Sequence, residues 1–239
     1  MIRCITFDLD DTLWEVNPVI RHANQSMFSW LAENAPEFTR IFQLQDLAKL
    51  RKTALQAAPE IAHSVTRIRQ AQLKHGLLAA GYSEADAELL GAQAFAVFIQ
   101  ARQEVVFFEH AREMLAALKA QGFQLGVLSN GNADIHHVGL ADLIDFQFKA
   151  DDVGQMKPHP LMFEQMLSHT RLRPEQVIHV GDNPEHDVQG AAAMGIWTIW
   201  VNLNGLTSPV KPDATISCLS EMGEAVAAIA KKAEQRVRL

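Results

Sequence analysis

The sequence predicts an α/β fold: a doubly wound, mostly parallel sheet, interrupted early by an inserted all-helical domain. Three observations predict it. A short apolar run from Ile2 to Phe7, with β-branched and aromatic members, opens the chain as a buried strand. About ninety residues of helical pattern follow, with almost no strand signal. From Phe107 onward strand and helix patterns alternate, the order that builds a parallel sheet with helices on both faces. The boundaries fall at 1–14 and 106–239 for the α/β domain and at 15–105 for the insertion. The first strand belongs to the later sheet, because a lone strand cannot stay exposed.

Past Trp14 the pattern turns helical. Val19, Ile20, Ala23, Met27, Phe28 and Leu31 form the inward stripe of a first helix, with Pro18 in its first turn. The stretch from Asn34 to Pro36 breaks it. A second helix covers 44–58 and ends at Pro59. A third carries Ile61, Val65, Ile68, Ala71, Leu73, Leu77 and Leu78; His63 and Arg67, four apart, share one of its faces, and Arg69 points elsewhere. Gly81 ends it, and Ser83 with Asp86 has the form of a capping box for a fourth helix running to Arg102.

In the second half, 110–121 reads as a helix closing on Gly122, and 123–128 as a strand running into Ser129-Asn130-Gly131-Asn132. A short helix follows, then a weaker strand at 146–150. Residues 156–160 lead into a helix to about His169, and 177–180 form a strand ending in Gly181-Asp182. Pro184 opens a helix to Gly195. A strand at 196–201 places Trp197 and Trp200 in the core, and a short edge strand at 213–216 precedes a closing helix at 219–237.

Bulk properties bound the function. Apolar residues at 48% and charged residues at 21% are ordinary for a soluble globular protein. The net charge of −7, with no Lys/Arg block, argues against nucleic acid and anionic membrane as partners. Cys4 and Cys218, the two thiols, have no framework spacing and fit a reducing compartment. The N-terminus starts directly on a strand, and no apolar stretch approaches the length of a membrane span. The expectation is a cytoplasmic protein, monomer or homodimer.

The chemistry gathers where strands end. Asp8 and Asp10 leave the first strand on the same side, and paired carboxylates repel unless a cation sits between them or one stays protonated. Oxygen ligands favour a hard cation, with Mg²⁺ the usual one at phosphate sites. Ligands of open parallel sheets bind beyond the carboxyl ends of the strands, where Ser129, Asn130 and Asp182 also lie, with Lys157 before a helix at the same level. His136, His137 and His179 lack ligand spacing with a third group, and His179 reads as a packed or sheet-edge residue.

Four ordered motifs carry a resemblance. Asp8-Leu9-Asp10-Asp11-Thr12 resembles the first motif of the haloacid dehalogenase-like hydrolases, D-x-D-x-T. Ser129 closing a strand resembles the second, Lys157 in Lys-Pro-His-Pro the third, and Gly181-Asp182 with Asp187 the fourth. The resemblance implies a Mg²⁺-dependent phosphatase acting on a small-molecule phosphate monoester. Asp8 would be the nucleophile, and Asp10 the general acid and base, with its carbonyl on the metal. Lys157 would neutralise charge, and Ser129 and Asn130 with the following N–H groups would hold phosphoryl oxygens. Asp8, Asp10 and Asp182 are the implied metal ligands, with Thr12 and Asp187 supporting them. A dehalogenase of this family generally lacks the carboxylate at position 10. The segments 17–20, 58–61, 65–67 and 129–133 resemble the bacterial flavin-pathway branch, which dephosphorylates 5-amino-6-(5-phospho-D-ribitylamino)uracil. A broad phosphatase of sugar or nucleoside phosphates is the alternative. Specificity is expected from the insertion, with Asn17, His63 and Arg67 as candidates.

Overall fold

The structure is a computed structural model that describes residues 1–208 and 210–237. The chain divides into two compact units, Met1–Glu15 with Val106–Leu239, and Val16–Val105. The first unit opens with strand β1 (Cys4–Phe7). The second contains α1 (Val16–Asn34), α2 (Pro36–Ile41), α3 (Leu47–Ala57), α4 (Val65–Ala79) and α5 (Glu84–Ala101). The first unit resumes with α6 (Ala111–Ala120), β2 (Gln124–Ser129), β3 (Phe146–Lys149), α7 (Ala150–Val153) and α8 (Leu161–Thr170). It continues through β4 (Val177–Gly181), α9 (Gly190–Ala193), β5 (Trp197–Val201), β6 (Ala214–Ile216) and α10 (Met222–Val237).

The described residues form one six-stranded sheet in the order β3-β2-β1-β4-β5-β6, with every pairing parallel and helices on both faces. β1 lies in the middle, between β2 and β4, and all four of its residues are buried. Burial on both faces is why its sequence is a continuous run instead of an alternation. The strand order reverses across β1, the switch point at which doubly wound sheets bind ligands. Gly126 of β2 pairs with Phe146 of β3, and a Cβ there would fall 2.1 Å from the Phe146 ring. The missing side chain lets that ring lie over the strand, in the cluster that α8 and α9 close with Phe163, Met166 and Ala191.

In the helical unit α5 packs on α1 and α4, and α4 also packs on α3. Met27, Leu31, Phe38, Leu50, Leu73, Leu77 and Phe98 form its core. Gly76 leaves room for the Phe38 ring, 2.4 Å from where a Cβ would stand. Ser83 caps α5 as expected, accepting the Asp86 N–H at 3.1 Å while its hydroxyl donates to the Asp86 carboxylate at 2.7 Å.

Several local expectations are corrected. Pro36 starts α2 instead of only breaking a helix, because proline fits the first helical position. His63 and Arg67 do not share a helix. Pro59–His63 form a separate 3₁₀ turn, and the Ser64 hydroxyl accepts the Arg67 N–H at 3.0 Å, so α4 starts after His63. No helix follows Asn132; residues 135–139 are turns ending at Gly139 in the left-handed region (φ 79°). Residues 184–195 are not one α-helix, since Pro184–Gln189 form π-helical turns before α9.

Candidate active site

β2, β1 and β4 are neighbours, so their carboxyl ends bring Ser129, Asp8 and Asp182 to one rim. The Asp8 N–H donates to the Val180 carbonyl at 2.8 Å, which holds Asp8 in line with the sheet beside β4.

Lys157 is the hub. It is 1% exposed, and its ammonium donates to Asp8 Oδ1 at 2.9 Å, Asp187 Oδ1 at 2.6 Å and the Leu128 carbonyl at 2.5 Å. Three donors meet three acceptors, which is how a buried ammonium is tolerated. The Asn130 side chain grips the Lys157 backbone from both sides, accepting its N–H at 2.7 Å and donating to its carbonyl at 2.9 Å. That side chain is therefore committed to positioning Lys157, and any phosphate contact of Asn130 falls to its backbone. Ser129 is buried, and its hydroxyl accepts the Gly131 N–H at 3.0 Å.

Asp187 is buried and fully used. Besides Lys157, it faces His179 Nε2 at 3.2 Å and accepts the Asn183 N–H at 3.0 Å. The other ring nitrogen of His179 lies 2.8 Å from Thr6 Oγ1, so a polar chain runs from β1 through β4 to Lys157. Gly181 makes this possible: a Cβ there would stand 2.2 Å from the Asp187 carboxylate. Asp182 is fixed by Thr12, whose hydroxyl accepts the Asp182 N–H at 3.1 Å and donates to Oδ1 at 3.2 Å. The Trp200 indole donates to the Asp182 carbonyl at 2.7 Å. Asp10 accepts the Trp14 indole N–H at 2.9 Å, and Asp11, in the left-handed region at φ 58°, turns the chain between them.

Electrostatics divide the carboxylates into two kinds. Burial alone would raise Asp187, but Lys157 and His179 outweigh it and hold its carboxyl well below the usual range. Burial would likewise lower Lys157, and Asp187 and Asp8 reverse that, so it stays charged. Burial pushes Asp8 well above the ordinary carboxylate range; Lys157 opposes this, while Asp187, Asp182 and Asp10 add to it. Asp182 is pushed up to about 7 by burial and by Asp187 and Asp11. Burial holds His179 below its ordinary value.

The donor set fits a divalent cation. One oxygen each from Asp8, Asp182 and Asp187 lies within 4.8 Å of the others, and oxygen-only donors suit a hard ion. Asp187 already spends both oxygens on protein donors, Asp8 shares the Lys157 ammonium with it, and Asp182 has no cationic partner among the described residues.

The remaining candidates lie in the helical unit. Asn17 is exposed in the first turn of α1, His63 is half-buried at the end of the 3₁₀ turn, and Arg67 is exposed on α4. Sequence reasoning missed the polar contacts of His179, Thr6 and Trp14. A histidine inside a buried strand must find a polar partner, and that rule was the available signal for His179.

These observations define a hydrolase, and the chain belongs to the haloacid dehalogenase-like hydrolase family, whose sequence profile matches residues 2–195. It is 32% identical over 200 residues to the 5-amino-6-(5-phospho-D-ribitylamino)uracil phosphatase YigB of Escherichia coli K12, across 84% of this chain and 83% of that protein. It is 26% identical over 216 residues to the phosphoglycolate phosphatase of Salmonella typhimurium LT2, across 81% and 79%. Among solved structures, a 2-haloacid dehalogenase from Pseudomonas syringae pv. Tomato DC3000 superposes with a TM-score of 0.90 at 38% identity, covering 95% of this chain and 99% of that one. No helix among the described residues is long and apolar enough to cross a membrane.

Proposed function

We propose that the protein is a cytoplasmic, Mg²⁺-dependent phosphatase that hydrolyses a small phosphate monoester through an aspartyl phosphate on Asp8. The observation that carries this reading is Asp10, a second carboxylate two residues beyond Asp8, held by the Trp14 indole. A departing alkoxide needs a proton and a departing halide does not, so Asp10 favours phosphorus over carbon.

The step begins with Asp8, whose oxygen attacks phosphorus as the P–O bond to the alcohol breaks. Protonated Asp10 gives its proton to the leaving oxygen. Water then attacks the acyl phosphate, Asp10 takes the proton of that water, and phosphate departs from a regenerated Asp8. Lys157 offsets charge on Asp8 and on the transferring group. Ser129 and the N–H groups after it hold phosphoryl oxygens. Asp8, Asp182 and the Asp10 carbonyl would hold Mg²⁺, which would supply positive charge to offset the carboxylates and the phosphoryl oxygens. Asp187 keeps Lys157 in place.

Choice among leaving groups is assigned to the helical unit acting as a cap, with Asn17, His63 and Arg67 as candidates. The likeness to YigB supports 5-amino-6-(5-phospho-D-ribitylamino)uracil, an intermediate of riboflavin biosynthesis, as the substrate. The likeness to a 2-haloacid dehalogenase supports a second reading, attack of Asp8 on a halogen-bearing carbon. A panel of phosphorylated metabolites and 2-haloacids, assayed with Mg²⁺ and again with EDTA, separates the two. Metal-dependent phosphate release, fastest on the pyrimidine intermediate, is expected. Halide release insensitive to EDTA overturns the phosphatase reading, and equal rates on many phosphates overturn only the substrate.

A further inference from the structure

α3 and α4 carry Lys49, Arg51, Lys52, Arg67, Arg69 and Lys74 and no carboxylate, in a chain of net charge −7. Lys74 is paired with Glu84 and Glu88 of α5. Among the described residues, no carboxylate pairs with Arg51 or Arg69. An exposed cation without a partner is ordinary, because water satisfies it. Arg69 is different. Its Nη1 is sealed from solvent and has no hydrogen-bond partner. Its guanidinium lies over the Phe98 ring, 4.4 Å from the centroid, so α5 fixes its plane. Arg51 acts on it as a like charge, and burial together with Arg51 brings its pKa down to about 10. At neutral pH the group remains charged, stacked, and short of an acceptor.

A sealed donor on a cation, beside a second cation, costs stability that an internal acid would remove. Among the described residues no acid is paired with it; Glu84 and Glu88 of α5 go to Lys74 instead. We propose that Arg69, assisted by Arg51, is a binding point in the helical unit for the oxyanion of a small molecule, a carboxylate or a phosphate. A guanidinium whose plane is already set presents a fork to such a group without losing further freedom. Arg69 as a whole is only partly covered, so part of the side chain stays open to solvent. Arg51 itself borders an open depression of about 370 Å³ on α3 with Ala48, Lys52, Leu55 and Gln56. The proposal stands whether or not the protein is a phosphatase, because it concerns side chains outside the Asp8 centre.

Malonate is the probe, since it has two carboxylates and no phosphoryl group. Titrated into the full-length Asp8→Asn protein, it should shift the Arg69 side-chain Nε–Hε NMR signal in a saturable way. Sodium chloride at equal ionic strength should not. Arg69→Lys keeps the charge and loses the fork, and should weaken malonate binding about tenfold or more. Arg51→Gln should weaken it a few-fold, and Lys49→Gln should leave it unchanged. A linear shift matched by chloride, or wild-type affinity in Arg69→Lys, overturns the proposal. Kinetics then identify the source of the anion. If it belongs to the substrate, Arg69→Lys raises KM for a phosphorylated carboxylic acid and not for the phosphate ester of a neutral alcohol. If it is a free effector, malonate changes turnover of both esters alike, and Arg69→Lys removes that change.

Discussion

Two cations, Lys157 in the α/β unit and Arg69 in the helical unit, are treated in opposite ways. Lys157 is more deeply buried than Arg69, yet each of its donors has an acceptor, and those acceptors are themselves held by His179, Asn183 and the sheet. In the helical unit Arg69 Nη1 and Asn24 Oδ1 are both buried and both left without a partner. Buried polar groups in folded proteins are normally satisfied, so the contrast is informative. The α/β unit has satisfied its buried cation from within, and what it leaves open is the carboxylate pair of Asp8 and Asp182. The helical unit has kept unsatisfied groups, the property expected of a surface that waits for a ligand.

The contrast can be broken at its strongest point first. Asp8→Asn should cut turnover on the order of 10⁵-fold while the fold persists, because the nucleophile is lost and the shape is not. A variant that keeps most of the wild-type rate ends the covalent mechanism. Asp10→Asn should cost about 10²–10⁴-fold on an alkyl phosphate and far less on p-nitrophenyl phosphate, whose leaving group needs no proton. Equal losses on both esters would remove Asp10 from acid catalysis. The smallest effect tests the comparison itself. Lys157→Met leaves buried carboxylates uncompensated and should destabilise the protein by about 3–5 kcal/mol in urea unfolding. Arg69→Met removes an unsatisfied charge, and should fall within about 1 kcal/mol of wild type or above it. Similar losses in the two variants would erase the distinction between the units.

Much of the fold was legible because each strand is short, apolar and punctuated. The run ending at Asp8, the Gly-Asp after β4 and the Ser-Asn-Gly after β2 all mark strand ends, and strand ends in a parallel sheet share a rim. What stayed hidden depends on contacts across the sheet. Nothing local to His179 reveals Thr6 on the adjacent strand or Asp187 eight residues on. The role of Gly181 is equally non-local: its hydrogen occupies a place that any Cβ would contest with Asp187. In the helical unit the misreading came from a cap. Ser64 competes for backbone donors more strongly than an apolar stripe through Ile61 suggests, so the helix begins later and His63 is excluded from it.

The central place of β1 has a consequence in time. Ile5 pairs with Leu125 on one side and with Ile178 on the other, 173 residues further along the chain. At a synthesis rate of about 5–20 residues per second, that second partner reaches the ribosome roughly 10–35 s after Ile5 does. Until then β1 can pair only with β2, and its other edge has no partner. The helices of 16–105 rest on nearby contacts and need no such wait. A growing chain of this protein therefore carries a central strand with one bare edge from the synthesis of β2 to that of β4, an interval in which edge-to-edge association is open to it.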